Sequence, residues 1–133
     1  MRFLLDTNVV IALLNQHPRV TETILGTDPR DICLSVVVAH ELFYGAYRAA
    51  RTERAIEQFE SLRFEIVDLT REDARRAGAV RAALAAAGTP IGPYDVLIAG
   101  QALQRGLVVV TRNTREFSRV PGLDVENWED ETG

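Results

Sequence analysis

No lysine occurs anywhere in the 133 residues, and all fifteen basic side chains are arginine. That excludes Schiff-base chemistry and the phosphate loop built around a lysine. Cysteine is down to Cys33, so no intrachain disulfide can form, and two histidines, His17 and His40, cannot build a His-rich zinc site. Only three serines are present, Ser35, Ser61 and Ser118, none in a Gly-x-Ser-x-Gly setting, and Gly-x-Gly-x-x-Gly is absent. Serine-hydrolase and dinucleotide-binding readings fall away with them. No apolar run approaches the roughly twenty residues of a membrane span. The opening Met1-Arg2-Phe3-Leu4-Leu5-Asp6 meets a carboxylate too early for a signal peptide. A reduced, cytoplasmic protein without membrane contact is the expectation.

What is present suits one globular domain: 47% hydrophobic and 26% charged residues, with a net charge of −4. The charge is unevenly spread. Asp124, Glu126, Glu129, Asp130 and Glu131 place five of the nineteen acids in the last ten residues. Residues 1–123 therefore carry fifteen arginines against fourteen acids, a net of +1. Such a body neither demands nor forbids a nucleic-acid partner, because local fields outweigh totals.

Strand and helix signals alternate along the chain. Phe3-Leu4-Leu5 reads as a buried strand ending at Asp6-Thr7-Asn8, three helix-capping residues, before the apolar run Val9 to Leu14. Pro18 opens a helix that closes near Gly26, and Ile32-Cys33-Leu34 is a second strand, with Ser35 capping a helix from Val36 to Ala50. Thr52 is the expected cap of a helix with the stripe Ala55, Ile56, Phe59 and Leu62, and Glu65-Ile66-Val67 is a strand. Thr70 with Asp73 predicts a capping box for a helix with stripe Ala77, Val80, Leu84 and Ala87, ending at Gly88. After the stiff loop Thr89 to Pro93 comes a helix through Leu103, stopped by Gly106. The strand Leu107 to Val110 and a last strand around Val125 follow. The pattern predicts an α/β domain whose mainly parallel sheet is covered by helices on both faces.

In such a sheet, ligands bind beyond the carboxyl ends of the strands. Asp6 follows the first strand, and Asn113 and Glu116 follow the Leu107–Val110 strand. Asp95 opens a helix, and Glu41 sits two turns into the helix capped by Ser35. Each has an ordinary alternative: Asp6 and Asp95 as helix caps, Glu116 as a surface acid, Glu41 as the partner of Arg48. Brought to one edge, the four would repel one another, so the site must take up a proton or bind a cation. Oxygen-only donors select Mg²⁺ or Mn²⁺, and a pair of such ions can clamp the attacking and leaving oxygens of a phosphodiester. His40 is a poor general base for this cluster, since it points about 100° away from Glu41 on a helix.

The motifs carry a resemblance. Leu4-Leu5-Asp6-Thr7-Asn8, Ser35 to Ala46 around Glu41, Ile91 to Ala99 around Asp95 and Thr111 to Phe117 around Glu116 resemble, in order, the four acidic motifs of PIN-domain proteins. Val125-Glu126-Asn127-Trp128 is similar to their usual ending, so a PIN domain would span 1–128, followed by an acidic tail over 129–133. Within that family the short single-domain form looks like the VapC toxins of toxin–antitoxin pairs. The resemblance implies a Mg²⁺-dependent endoribonuclease, Mn²⁺ being an alternative, inhibited by a VapB-type antitoxin and acting as a homodimer. It makes Asp6 and Asp95 the main metal ligands, Glu41 a further ligand or base-positioning group, and Glu116 a ligand acting through water. Thr7, Asn8, Thr111 and Asn113 would orient the carboxylates. Arg112, Arg115 and Arg119, with Arg48, Arg51 and Arg54, are candidates for RNA phosphates, and Phe43, Tyr44 and Tyr47 for an antitoxin groove. A non-catalytic PIN-fold binding module is the competing class. A haloacid-dehalogenase-like phosphatase would need an acid where Asn8 stands.

Overall fold

In the computed structural model, which describes residues 1–130, the short apolar runs become five strands: β1 (Phe3–Leu5), β2 (Ile32–Ser35), β3 (Glu65–Val67), β4 (Val108–Val110) and β5 (Val125–Glu126). Their order in the sheet is β3-β2-β1-β4-β5, and every neighbouring pair is parallel. Each crossover carries a helix: α1 (Thr7–Leu14), α2 (Pro18–Leu25), α3 (Val36–Arg48), α4 (Thr52–Ser61), α5 (Arg71–Ala86), α6 (Pro93–Arg105) and α7 (Thr114–Phe117). A one-turn 3-10 helix, Pro29–Asp31, precedes β2.

The chain builds outward from β1 through β2 to β3, then returns to lay β4 and β5 on the other side of β1. The direction of winding thus reverses between β1 and β4, which opens a crevice beyond their carboxyl ends. Parallel strands buried on both faces need continuous apolar sequence, and Leu4, Leu5, Cys33, Leu34, Val109 and Val110 are all fully buried. Val10, Val38, Ile98 and Phe117 pack onto them from the helices.

Some local expectations change. Thr52 does not cap α4: Arg51 holds the cap position without a side-chain bond, and the Thr52 hydroxyl donates to the Tyr47 and Ala49 carbonyls, both at 3.4 Å. Two nearby carbonyls at the end of α3 outcompete the amides of α4. Ala87 is exposed at the C-cap of α5 instead of extending its buried stripe. α3 stops at Arg48, two residues early. The Thr70–Asp73 capping box forms as the sequence predicts. Of the acidic tail expected over 129–133, Glu129 and Asp130 are described, and 131–133 lie outside the described residues. Glu129 turns back, with its carboxylate 3.8 Å from His17 and 3.9 Å from Arg112. Among the described residues no helix is long and apolar enough to cross a membrane.

The α5–α6 pair shows how tightly the layers approach. A Cβ on Gly100 would lie 2.5 Å from both the backbone nitrogen and the Cα of Ala77. Backbone cannot swing aside as a side chain can, so Gly100→Ala must push α6, and with it Asp95, away from α5. We expect Gly100→Ala to lower unfolding free energy by about 1–3 kcal/mol, as overpacking does. Urea denaturation checks this, and an unchanged midpoint would contradict the close approach.

Candidate active site

Asp6 is both a helix cap and a member of the crevice. Its backbone is extended as it leaves β1, and its Oδ1 accepts the Thr7 amide at 2.8 Å at the start of α1. The other oxygen faces β4: Oδ2 accepts from the Thr111 hydroxyl at 2.8 Å and from the Asn8 amide at 3.2 Å. Asn8 closes the ring by accepting the Arg112 amide at 3.0 Å, while Thr111 Oγ1 accepts the Asn113 amide at 2.9 Å. The carboxylate is thereby fixed across the β1–β4 switch point. It is 5% exposed, and burial, the dominant effect, raises its pKa despite those donors.

Glu41 arrives from α3. It does not pair with Arg48: its Oε1 accepts the Thr7 hydroxyl at 3.1 Å, whereas Arg48 lies over the Tyr44 ring and donates to its hydroxyl. Asp95 sits in the first turn of α6, whose N-cap, Gly92, offers no side chain to cap it. Glu116, on α7, accepts the Gly92 amide at 2.7 Å through Oε1 and the Asn113 side-chain amide through Oε2. A Cβ on Gly92 would lie 3.2 Å from Asp95 Oδ2 and 3.7 Å from Glu116 Oε1, so the glycine lets the two acids close over the loop.

These positions bring the four acids into one electrostatic unit. Burial first, then the charges of Asp6 and Glu116, a hydrogen bond to Glu116 and the charge of Glu41, push Asp95 up to about 7. Glu116 moves the other way, held down chiefly by the Gly92 amide. The two acids titrate as a coupled pair in which Asp95 is the one that keeps its proton to higher pH. Among the described residues, no ion pair joins any of the four to an arginine. Nor do three or more His, Cys, Asp or Glu side chains there form a ready-made metal cage. The donor chemistry still fits a hard cation: the carboxylates are oxygen donors with uncompensated charge, and Mg²⁺ keeps several waters and needs only one or two protein carboxylates.

The remaining candidates scatter. His40 is exposed and stacks edge-on with Tyr94, ring centroids 5.3 Å apart, with no hydrogen bond to the carboxylates. Arg112 and Arg115 are exposed beside the crevice, while Arg119 donates to the Pro90 carbonyl at 3.0 Å. Phe43 packs edge-on against Phe59. Tyr44 and Tyr47 are exposed, but neither lines the hollow of about 250 Å³ between α1, α3 and α4, formed by Ile11, Leu14, Leu42, Ala46 and Phe59 with Glu41 at its rim. A hollow of about 800 Å³ lies between α2 and Val125–Trp128, and none of the four acids lines it. The sequence reading missed the Gly92 amide and the grip of Arg119 on Pro90. The only local signal was a glycine wedged before Pro93.

An α/β crevice that gathers four acids at a β1–β4 switch point defines a class of acidic-site proteins, and comparison with known proteins identifies it. The family model described as "PIN domain" matches residues 3–123, and the chain belongs to the PIN-domain family. It is 41% identical over 130 residues to the tRNA(fMet)-specific endonuclease VapC of Salmonella typhimurium, covering 96% of this chain and 98% of that one. It is 35% identical to ribonuclease VapC2 of Haemophilus influenzae, with the same coverage of both chains. A crystal structure of DNA-bound VapBC from Salmonella typhimurium superposes with a TM-score of 0.91 at 41% identity, again covering 96% and 98% of the two chains. Those full-length matches put the chain in the VapC branch of the family.

The raised Asp95 has a consequence for stability. In the unfolded chain an aspartate titrates near pH 3.9, whereas here it holds its proton to about pH 7. Its contribution to stability is therefore full below about pH 4 and is lost as pH rises through 7. Asp95→Asn, neutral throughout, should flatten the fall in melting temperature between pH 5 and pH 8 in EDTA. Parallel melting-temperature profiles for the two proteins would contradict this.

Proposed function

We propose that the protein is a metal-dependent endoribonuclease and the toxin of a VapBC-type pair, acting as a homodimer. The observation that carries this reading is the meeting of Asp6, Glu41, Asp95 and Glu116, from four separate elements, with no ion pair to an arginine among the described residues. The relatives named endonuclease and ribonuclease support the reaction class, and the VapBC complexes support a VapB-type antitoxin as partner.

In this reading Asp6 and Asp95 hold Mg²⁺ or Mn²⁺, Glu41 completes the set, and Glu116 acts through water. When bound, the ion polarises the phosphodiester and lowers the pKa of a water. The chain's own residues do the positioning. Thr111, Asn8 and the Thr7 amide hold Asp6 in one orientation, so its charge needs little reorganisation. Thr7 holds one oxygen of Glu41, leaving the other to orient an attacking water. Asp95, raised to about 7, would have to lose its proton to hold the ion. Asn113 steadies Glu116, and the exposed Arg112 and Arg115 offer charge to RNA phosphates at the rim.

In this reading an apolar side chain of the antitoxin segment would enter the hollow between α1, α3 and α4, whose lining includes Glu41. An arginine fork carried along it would pair with the carboxylates and take the place of both metal and substrate.

Asp6→Asn and Asp95→Asn should each abolish Mg²⁺-dependent cleavage of single-stranded RNA without unfolding the protein, and Glu116→Gln should lose less. Wild-type protein that binds RNA but never cuts it in Mg²⁺ or Mn²⁺ would make the chain a binding module instead. Binding of the ion gives a second measurement. At a hundredfold excess over its dissociation constant, Mg²⁺ should stabilise the wild type by about 2.7 kcal/mol. Asp95→Asn should lose most of that gain, and an unchanged gain would remove Asp95 from the ligand set.

A further inference from the structure

The loop from Thr89 to Gly92 delivers Asp95; Pro90 stiffens it, the Thr89 amide donates to the Leu84 carbonyl at 2.9 Å and Ile91 packs against the core. Gly88 before it takes a left-handed backbone, with φ of +73°, and Gly92 provides no capping side chain. Two contacts from the distant segment after β4 hold it. The Glu116 carboxylate accepts the Gly92 amide, and the Arg119 guanidinium donates to the Pro90 carbonyl at 3.0 Å. Acceptor and donor lie three residues apart in sequence and grip two backbone groups two residues apart, so the loop is held in register as well as in place. Arg119 is exposed, and its charge also favours ionised Glu116.

We propose that Arg119 is a positioning residue that, with Glu116, clasps the Thr89–Gly92 loop and so sets Asp95 in the crevice, and that it is not an RNA-phosphate contact. This deepens the nuclease reading and rests on it for the catalytic part alone. The Nη1 of this guanidinium is engaged by a backbone carbonyl, so turning the side chain to a phosphate would break the clasp.

Arg119→Met, which keeps the aliphatic stem, and Arg119→Lys, which keeps a donor, test it in the full-length protein. The first measurement needs neither metal nor RNA. Hydrogen exchange of the segment 88–96 should quicken in Arg119→Met and return towards wild type in Arg119→Lys; unaltered exchange in Arg119→Met overturns the clasp. The second uses a single-stranded RNA oligonucleotide with Mg²⁺. In Arg119→Met kcat should fall about tenfold to a hundredfold, as displacement of a reacting group by about 1 Å does. KM and the salt dependence of RNA binding should stay put, and Arg119→Lys should recover part of kcat. A raised KM with unchanged kcat, and a salt slope smaller by about one, would make Arg119 a phosphate contact and overturn the proposal. If wild-type protein cuts no RNA, the nuclease reading fails and the exchange measurement alone decides the clasp.

Discussion

Repulsion among Asp6, Glu41, Asp95 and Glu116 is the constraint around which the crevice is organised. The structure answers it with neutral dipoles instead of cations. Asp6 receives an amide, a hydroxyl and a carboxamide, Glu41 a hydroxyl, and Glu116 an amide and a carboxamide. Such donors fix the orientation of each carboxylate and soften its burial, but they cannot cancel its charge. The repulsion falls most heavily on Asp95, which burial and the neighbouring charges push up to about 7. Fifteen arginines are available, and among the described residues none forms an ion pair with the four. The site is left receptive to a cation from outside.

Gathering four acids from positions 6, 41, 95 and 116 requires topology, not local structure. Because all five strands run parallel, their carboxyl ends share one edge, and the β1–β4 reversal parts the helices above Asp6. Strands of two to four residues suffice, since each only has to aim the helix or loop that follows it. The Thr111–Asp6 bond then spans the switch point itself, so sheet register and site geometry are one and the same contact. The close packing of Gly100 on Ala77 serves the same end by fixing the helix that bears Asp95.

The strands and the capping box were legible in the sequence because each depends on neighbours a few residues away, whereas the four acids were marked by their motifs and meet only through the topology. Asp6 shows where local reading misleads: helix cap and site residue looked like alternatives, yet one carboxylate does both, with one oxygen for each task. Thr52 shows the reverse case, a good capping residue diverted by carbonyls that only the end of α3 brings near. Helix α7 has four residues, too few to show a period, although its Phe117 is wholly buried. What joins Glu116 to Gly92 and Arg119 to Pro90 spans 24 and 29 residues of sequence. Neither follows from composition or spacing, because the partners are backbone groups that any residue would supply.

Asp73 offers a comparison within the same chain. It too is buried, at 1% exposure, and burial by itself would raise its pKa. Hydrogen bonds from Arg105 and from Thr70 outweigh that burial and bring it below the ordinary value. Arg105 also reaches the Asp68 carbonyl, tying the start of α5 to the end of α6. An aspartate used for structure is thus given a cation and a cap, and its charge stabilises the fold as ionised carboxylates in a paired setting do. Asp95 is given burial and three like charges, and its charge works against the fold. Identical chemistry is placed in opposite environments, and only in the second is the ionised form disfavoured. The all-parallel apolar core therefore offsets the cost of gathering the acids, and the electrostatic strain is confined to the one edge where β1 and β4 part.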